Sequence, residues 1–147
     1  MLKEDYDISI KGIQSLDGES DEISLNTVGS YTTRGNIRYI AYNEYDPENP
    51  EAMHTSILKV ENECMTVISP GSSTRLILEK GIRHRCCYES GFGALTLGIF
   101  TSSFSSDLND GGGKLNVKYT LDIDSSLSSC NEITVDVRKR HEFGKEY

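Results

Sequence analysis

Between Leu115 and Ile123 every odd position is apolar and every even position is polar. That period of two belongs to a strand with one buried face and one wetted face. Upstream, Tyr88-Glu89-Ser90-Gly91-Phe92-Gly93 leads into Ala94 through Thr101, and a polar, glycine-rich connection ending in Gly111-Gly112-Gly113 joins that run to the alternating one. Two long strands joined in this way anchor an all-β chain. No stretch of a dozen residues keeps a helical period, so any helix is expected to be a single short turn.

The rest of the chain follows the same grammar. Tyr6 to Gln14 reads as a first strand with Tyr6, Ile8 and Ile10 on one face, and the alternation slips at Gly12-Ile13, where a bulge is expected. Asp17-Gly18 is a hairpin signal, because the tight turns that suit twisted strands need positive φ. Ile23 to Thr33 is the second strand, with Ile23, Leu25, Thr27, Gly29 and Tyr31 sharing a face. Arg34-Gly35-Asn36 turns the chain into Ile37 to Tyr45, which is apolar on both sides: Ile37, Tyr39 and Ala41 on one, Ile40 and Tyr42 on the other. Asp46 to Ala52, with Pro47 and Pro50, is a loop. Further strands are expected over Met53 to Glu61, Cys64 to Ser69, Thr74 to Leu78 and Ile82 to Glu89, with turns at Glu61-Asn62-Glu63, Pro70-Gly71 and Lys80-Gly81. Ser125 to Asn131 reads as a serine-rich connection, Glu132 to Arg140 as the last strand, and residues 141–147 as a frayed tail.

Short strands between closely spaced turns suit an antiparallel sheet, and 147 residues fit one domain. Ten such strands leave two edges unless they close, and closure removes the edges. The expected fold is a single antiparallel up-and-down barrel of about 8–10 strands, the last pairing back towards the first.

Composition narrows the function classes. A net charge of −8 argues against nucleic acid and anionic membranes, which need clustered positive charge. The basic cluster Arg138-Lys139-Arg140 is a solvated strand end. No apolar run approaches the ~20 residues of a membrane-spanning helix. The charged segment Met1-Leu2-Lys3-Glu4-Asp5-Tyr6-Asp7 has no signal-peptide core. A cytoplasmic location is expected, with Cys64, Cys86, Cys87 and Cys130 as thiols.

The strand pair resembles the YwiB-like family of uncharacterised bacterial proteins. The matching positions are Tyr88, Ser90, Gly93, Leu95, Leu97, Thr101, Gly113, Leu115, Val117, Tyr119, Leu121 and Ile123, and Thr55 to Val60 resembles the family's fourth strand. Ser90 stands where the family often has threonine, and Ser69-Pro70-Gly71 lacks the arginine often found before that glycine. The resemblance implies a calycin-like (lipocalin-like) β-barrel and no established activity.

Candidate chemistry concentrates in Arg83-His84-Arg85-Cys86-Cys87-Tyr88. On a strand His84, Cys86 and Tyr88 share one face, while Arg83, Arg85 and Cys87 share the other. A Cys86–His84 dyad lacks an evident orienting residue, and adjacent cysteines on a strand cannot aim at one zinc ion. No catalytic residue, metal or cofactor is expected. If the alternation holds, His84, Cys86, Tyr88, Leu95, Leu97, Ile99, Leu115, Val117, Tyr119 and Leu121 line the barrel, joined by Ile133 and Val135. The reading favoured by these residues is a non-catalytic accessory or interaction domain with a filled barrel. The alternative is a binding protein for a small apolar ligand in the interior. Ile40 and Tyr42, read as outward-facing, are the expected contact for a protein partner or homodimer.

Overall fold

The computed structural model describes residues 4–46, 49–69, 75–90, 93–124 and 126–140, with side chains at all of these except 45, 46, 49–52, 87–90, 127 and 128. Asp17 and Gly18 take φ of 50° and 81° and fold β1 (Tyr6–Leu16) against β2 (Glu19–Arg34), with Leu16 opposite Glu19. Gly35, at φ 62°, does the same between β2 and β3 (Ile37–Asp46), setting Arg34 opposite Ile37. The meander continues through β4 (Asn49–Glu61), β5 (Cys64–Ile68), β6 (Arg75–Glu79), β7 (Arg83–Ser90), β8 (Gly93–Ser106), β9 (Gly112–Ile123) and β10 (Ser126–Lys139). All sheet pairings are antiparallel, and the strand order is β6-β5-β4-β3-β2-β1-β10-β9-β8-β7. The expected return of the last strand to the first is the ladder from Tyr6↔Lys139 to Ser15↔Cys130. The chain is an all-β antiparallel up-and-down barrel, nearly closed, with no helix among the described residues.

Among the described residues the ring is interrupted between β6 and β7, where a short overlap takes the place of a ladder. Glu79 lies opposite Cys64 on the outer face of β6, since Met65 and Leu78 beside them are buried within. His84 lies opposite buried Ile99, on the inner face of β7. Yet His84 Nε2 and Glu79 Oε1 are 2.8 Å apart. The inner face of β7 therefore laps over the outer face of β6. Gly81 N–H donates to Thr101 O at 2.8 Å and Lys80 N–H to Glu63 O at 3.0 Å, fastening the overlap at one end.

Alternation holds where it was clearest. Leu115 and Val117 on β9, Val135 and Val137 on β10 and Ile8 on β1 are buried, with Tyr119, Leu121, Ile133, Tyr6 and Ile10 packed against them. Five expectations need correction, the Asp46 to Ala52 loop first: β3 runs to Asp46, β4 starts at Asn49, and these two residues pair. Gly12 stays in unbroken register between Ile23 and Ile133, so no bulge occurs there; the inward stripe simply runs on through a residue without a side chain. The irregularity falls instead between Thr101 and Ser103, and past it β8 continues to Ser106, so the polar connection before the glycines is mostly strand. Most of the serine-rich connection is also strand, because β10 starts at Ser126 and pairs with β9 across a shift between Leu127 and Ser129.

The last correction concerns β3. Ile40 is opposite Tyr31 and Leu58 and is 0% exposed, and Tyr42 is also in the core. Both point inwards, so they form no outer surface through which a homodimer or partner could dock. A strand apolar on both sides cannot choose its inner face by alternation; the register imposed by the hairpin does. Pro47, the Pro70-Gly71 turn and the 141–147 tail fall outside the described residues.

Candidate functional site

Inner-face side chains fill the barrel's middle. Ile8, Ile40, Leu58, Met65, Leu115, Val117, Val135 and Val137 are each 2% exposed or less. Of the residues expected to line an interior chamber, Ile99, Leu115 and Val117 belong to this packed centre. Leu95, Leu97, Tyr119 and Leu121 lie towards the opposite end and are half-buried, and burial pushes the Tyr119 hydroxyl pKa up. His84 and Cys86 are at the seam, away from the centre; the Tyr88 side chain is outside the described residues.

One inner polar atom stands out. Thr101 is 0% exposed, and its Oγ1 has no hydrogen-bond partner among the described residues. A buried hydroxyl left unpaired costs roughly 1–3 kcal/mol, whereas an apolar isostere carries no such penalty. Thr101→Val is thus expected to stabilise the fold by about 1 kcal/mol, read as a rise in the urea midpoint. A fall in the midpoint would mean that the hydroxyl is satisfied by something held in the barrel.

The seam contains the one stretch of sequence that suggested chemistry. His84, Cys86, Ile77, Ile99, Arg75 and Arg85 enclose a cleft of about 10 Å³. That is room for about one water molecule, not for a substrate. Sequence reading found no orienting residue for His84; the structure supplies Glu79, five positions upstream across the Lys80-Gly81 turn. The signal was available, since a tight turn brings its flanking residues together, but the lapped geometry that joins an inner face to an outer one was not. His54 is exposed, and His141 lies outside the described residues. Cys64 and Cys130 are free thiols on separate strands; burial, then the charges of Glu79 and Glu61, raise the Cys64 pKa. Such a thiol carries little reactive thiolate.

Outside the barrel, Arg83 clamps Asp122 across β8, with Nη2–Oδ1 at 2.6 Å and Nε–Oδ2 at 3.2 Å. The pair lies directly over Gly98, where a Cβ would run into the Arg83 and Asp122 side-chain ends. The arginines of the candidate stretch thus divide: Arg83 is structural, while Arg85 flanks the seam cleft.

The other end of the barrel is stoppered by the β8–β9 loop. Asp107 Oδ1 accepts from Lys114 N–H at 2.7 Å, and Asn109 and Gly112 exchange backbone bonds at 2.7 and 3.1 Å. Gly113 has φ 134° and no room for a Cβ beside Asp107 O, which explains the glycine run. The folded loop sets Leu108 against the core and presents Asn109 O to the Tyr31 hydroxyl, which donates to it at 2.6 Å. Tyr6 packs edge-on to Tyr31 at 5.4 Å. Arg38, also inward-facing and opposite Val60, donates to Tyr31 OH at 3.3 Å. Sequence reading singled out neither Arg38 nor Tyr31 as a site residue.

Comparison with known proteins agrees with this architecture. The chain is 23% identical over 128 residues to the "Uncharacterized beta-barrel protein YwiB" of Bacillus subtilis (strain 168), covering 87% of this chain and 89% of that one. The crystal structure of the ywiB protein from Bacillus subtilis superposes with a TM-score of 0.74 at 22% identity, over 95% of this chain and 96% of the other. A family model described as "Domain of unknown function (DUF1934)" matches residues 8–135, which takes in every strand pairing except the outermost rungs, and the chain belongs to that family.

Proposed function

We propose that the protein is a non-catalytic accessory or interaction domain, a calycin-like barrel of the bacterial cytoplasm that meets its partner with its outer surface. The observation that carries this reading is the packed centre, where nine apolar inner-face side chains from seven strands are 2% exposed or less. A barrel filled by its own residues is a rigid body with no central space to offer. Its apolar exposure lies outside the centre, at Leu16 and Ile23 of the β1–β2 hairpin and at Met53, Ile82 and Phe100; Ile23 is 74% exposed although it is on the inward stripe, so the hairpin reaches beyond the barrel wall. A relative from Bacillus subtilis supports the bacterial source.

A second reading, an interior site for a small apolar ligand, is favoured by the unpaired Thr101 hydroxyl and by half-buried Leu95, Leu97 and Leu121. Native mass spectrometry and titration with the uncharged apolar probe Nile red separate the two. The expected result is a chain of unmodified mass and no saturable probe response. A co-purified species, or probe binding that Leu97→Arg removes while the circular dichroism spectrum is kept, would replace the first reading with the second.

A further inference from the structure

Beside the stoppered end of the barrel lies a cleft of about 350 Å³, with Val60 and Phe104 as its apolar floor and Asn36, Asn62 and Ser106 as polar wall. The volume is at the lower end of the roughly 300–1,000 Å³ of small-molecule sites. Arg38 also lines it, with a side chain 25% exposed. All three hydrogen bonds of its guanidinium run from Nη1: to Tyr31 OH at 3.3 Å, Thr33 Oγ1 at 3.2 Å and Asp110 Oδ1 at 3.4 Å. Nε and Nη2 have no partner among the described residues, although a guanidinium has five N–H donors in a planar fork suited to two oxygens at once.

Two carboxylates border the cleft, Glu61 and Glu63, in exposed pairs with Lys59 at 3.9 Å and Lys80 at 3.1 Å, so an anion is gripped by Arg38 and not drawn in by the net charge of the cleft. Among the described residues, the only carboxylate on Arg38 belongs to Asp110, which is 94% exposed and holds the guanidinium by one long contact. An exposed pair of that kind is weak and easily displaced. Arg38 is therefore an inward-facing cation, held in place by Tyr31 and Thr33, with half its fork vacant beside an apolar floor.

We propose that this cleft binds a small organic anion, a carboxylate or phosphate on an apolar body, with Arg38 gripping the charged oxygens and Phe104 and Val60 taking the body. Asp110 is the built-in competitor that occupies Arg38 when the site is empty. The site lies at the end of the barrel, not in its packed centre, and does not depend on whether that centre is filled.

The test is amide-detected nuclear magnetic resonance titration of the full chain with benzoate, phenyl phosphate and the neutral isostere benzamide. The expected result is saturable shifts at Arg38, Val60, Asn62, Phe104 and Ser106 from an anion and none from benzamide; the anion that saturates first assigns the head group. Arg38→Gln, checked for folding by circular dichroism, is expected to weaken that anion by roughly tenfold or more. Asp110→Asn, at a nearly fully exposed side chain, leaves the fold intact and is expected to tighten it by roughly two- to fivefold. Equal shifts from benzamide, shifts confined to other basic residues, an Asp110→Asn variant that binds no tighter, or no saturable response to either anion would each overturn the proposal.

Discussion

Leu115→Ala should remove about 3–5 kcal/mol of folding free energy, while Ile23→Ala, also on an inward stripe, should change it by no more than about 0.5 kcal/mol. Leu115 is 0% exposed, opposite Val135 on β10 and Ser106 on β8, and in the same buried cluster as Ile8, Val117 and Val137. Trimming its isobutyl side chain to a methyl group loses the transfer free energy and leaves a void that neighbouring strands cannot close, because the ladders on both sides of β9 hold them apart. Ile23 is 74% exposed and leaves no void when truncated. Urea unfolding followed by far-ultraviolet circular dichroism measures both. Against a typical domain stability of roughly 5–15 kcal/mol, the first loss is a large share of the total. The comparison also bears on function: a residue already bordering an open chamber would give up less on truncation. A cost near 1 kcal/mol for Leu115→Ala would count against the filled barrel.

Raising the pH from about 10 to 12 should cost the folded state on the order of 2–3 kcal/mol through Tyr42 alone. Burial pushes the Tyr42 hydroxyl up to about 12, with the nearby Glu44 charge adding to the shift and a hydrogen bond to Ser56 opposing it. An unfolded tyrosine titrates near 10. Between those values the unfolded chain has lost a proton that the folded chain keeps, so the contribution is whole below about pH 10 and disappears as pH rises through about 12. Burial also raises Tyr31 and Tyr119, and both act in the same direction. The check is the urea midpoint from pH 9 to 12 in wild type and Tyr42→Phe. The variant is expected to start lower, having lost the Ser56 bond, and to fall less steeply. Parallel slopes would mean that Tyr42 is as easily ionised in the fold as outside it.

Much of this molecule was legible in its residues. Strict alternation from Leu115 to Ile123 places its apolar members within the barrel, because a pleated strand has only two faces and a half-buried sheet wets one of them. Asp17-Gly18 and Gly35 mark their hairpins, because few residues tolerate positive φ. The parity of β3 was legible too, though indirectly. A two-residue turn at Gly35-Asn36 puts Arg34 opposite Ile37, hence Tyr31 opposite Ile40, on the face that Tyr31 shares with Ile23 and Leu25. Register carried information that the apolar count of a two-sided strand lacked.

Other features depend on distant strands meeting. The lap of β7 over β6, which joins His84 to Glu79, follows from how far ten twisted strands curl before their edges approach, and no local period encodes that sum. Arg38 reads locally as a polar residue beside a turn; only the return of the β8–β9 loop, some seventy positions later, brings Asp110 to it and carries Asn109 to Tyr31. Sequence alone determined the strands, their turns and most inward faces, because those obey rules a few residues long. Tertiary structure decided where the barrel stays open, which cation is left half-satisfied and which inward stripe runs out into solvent, because each depends on what the far side of the barrel supplies.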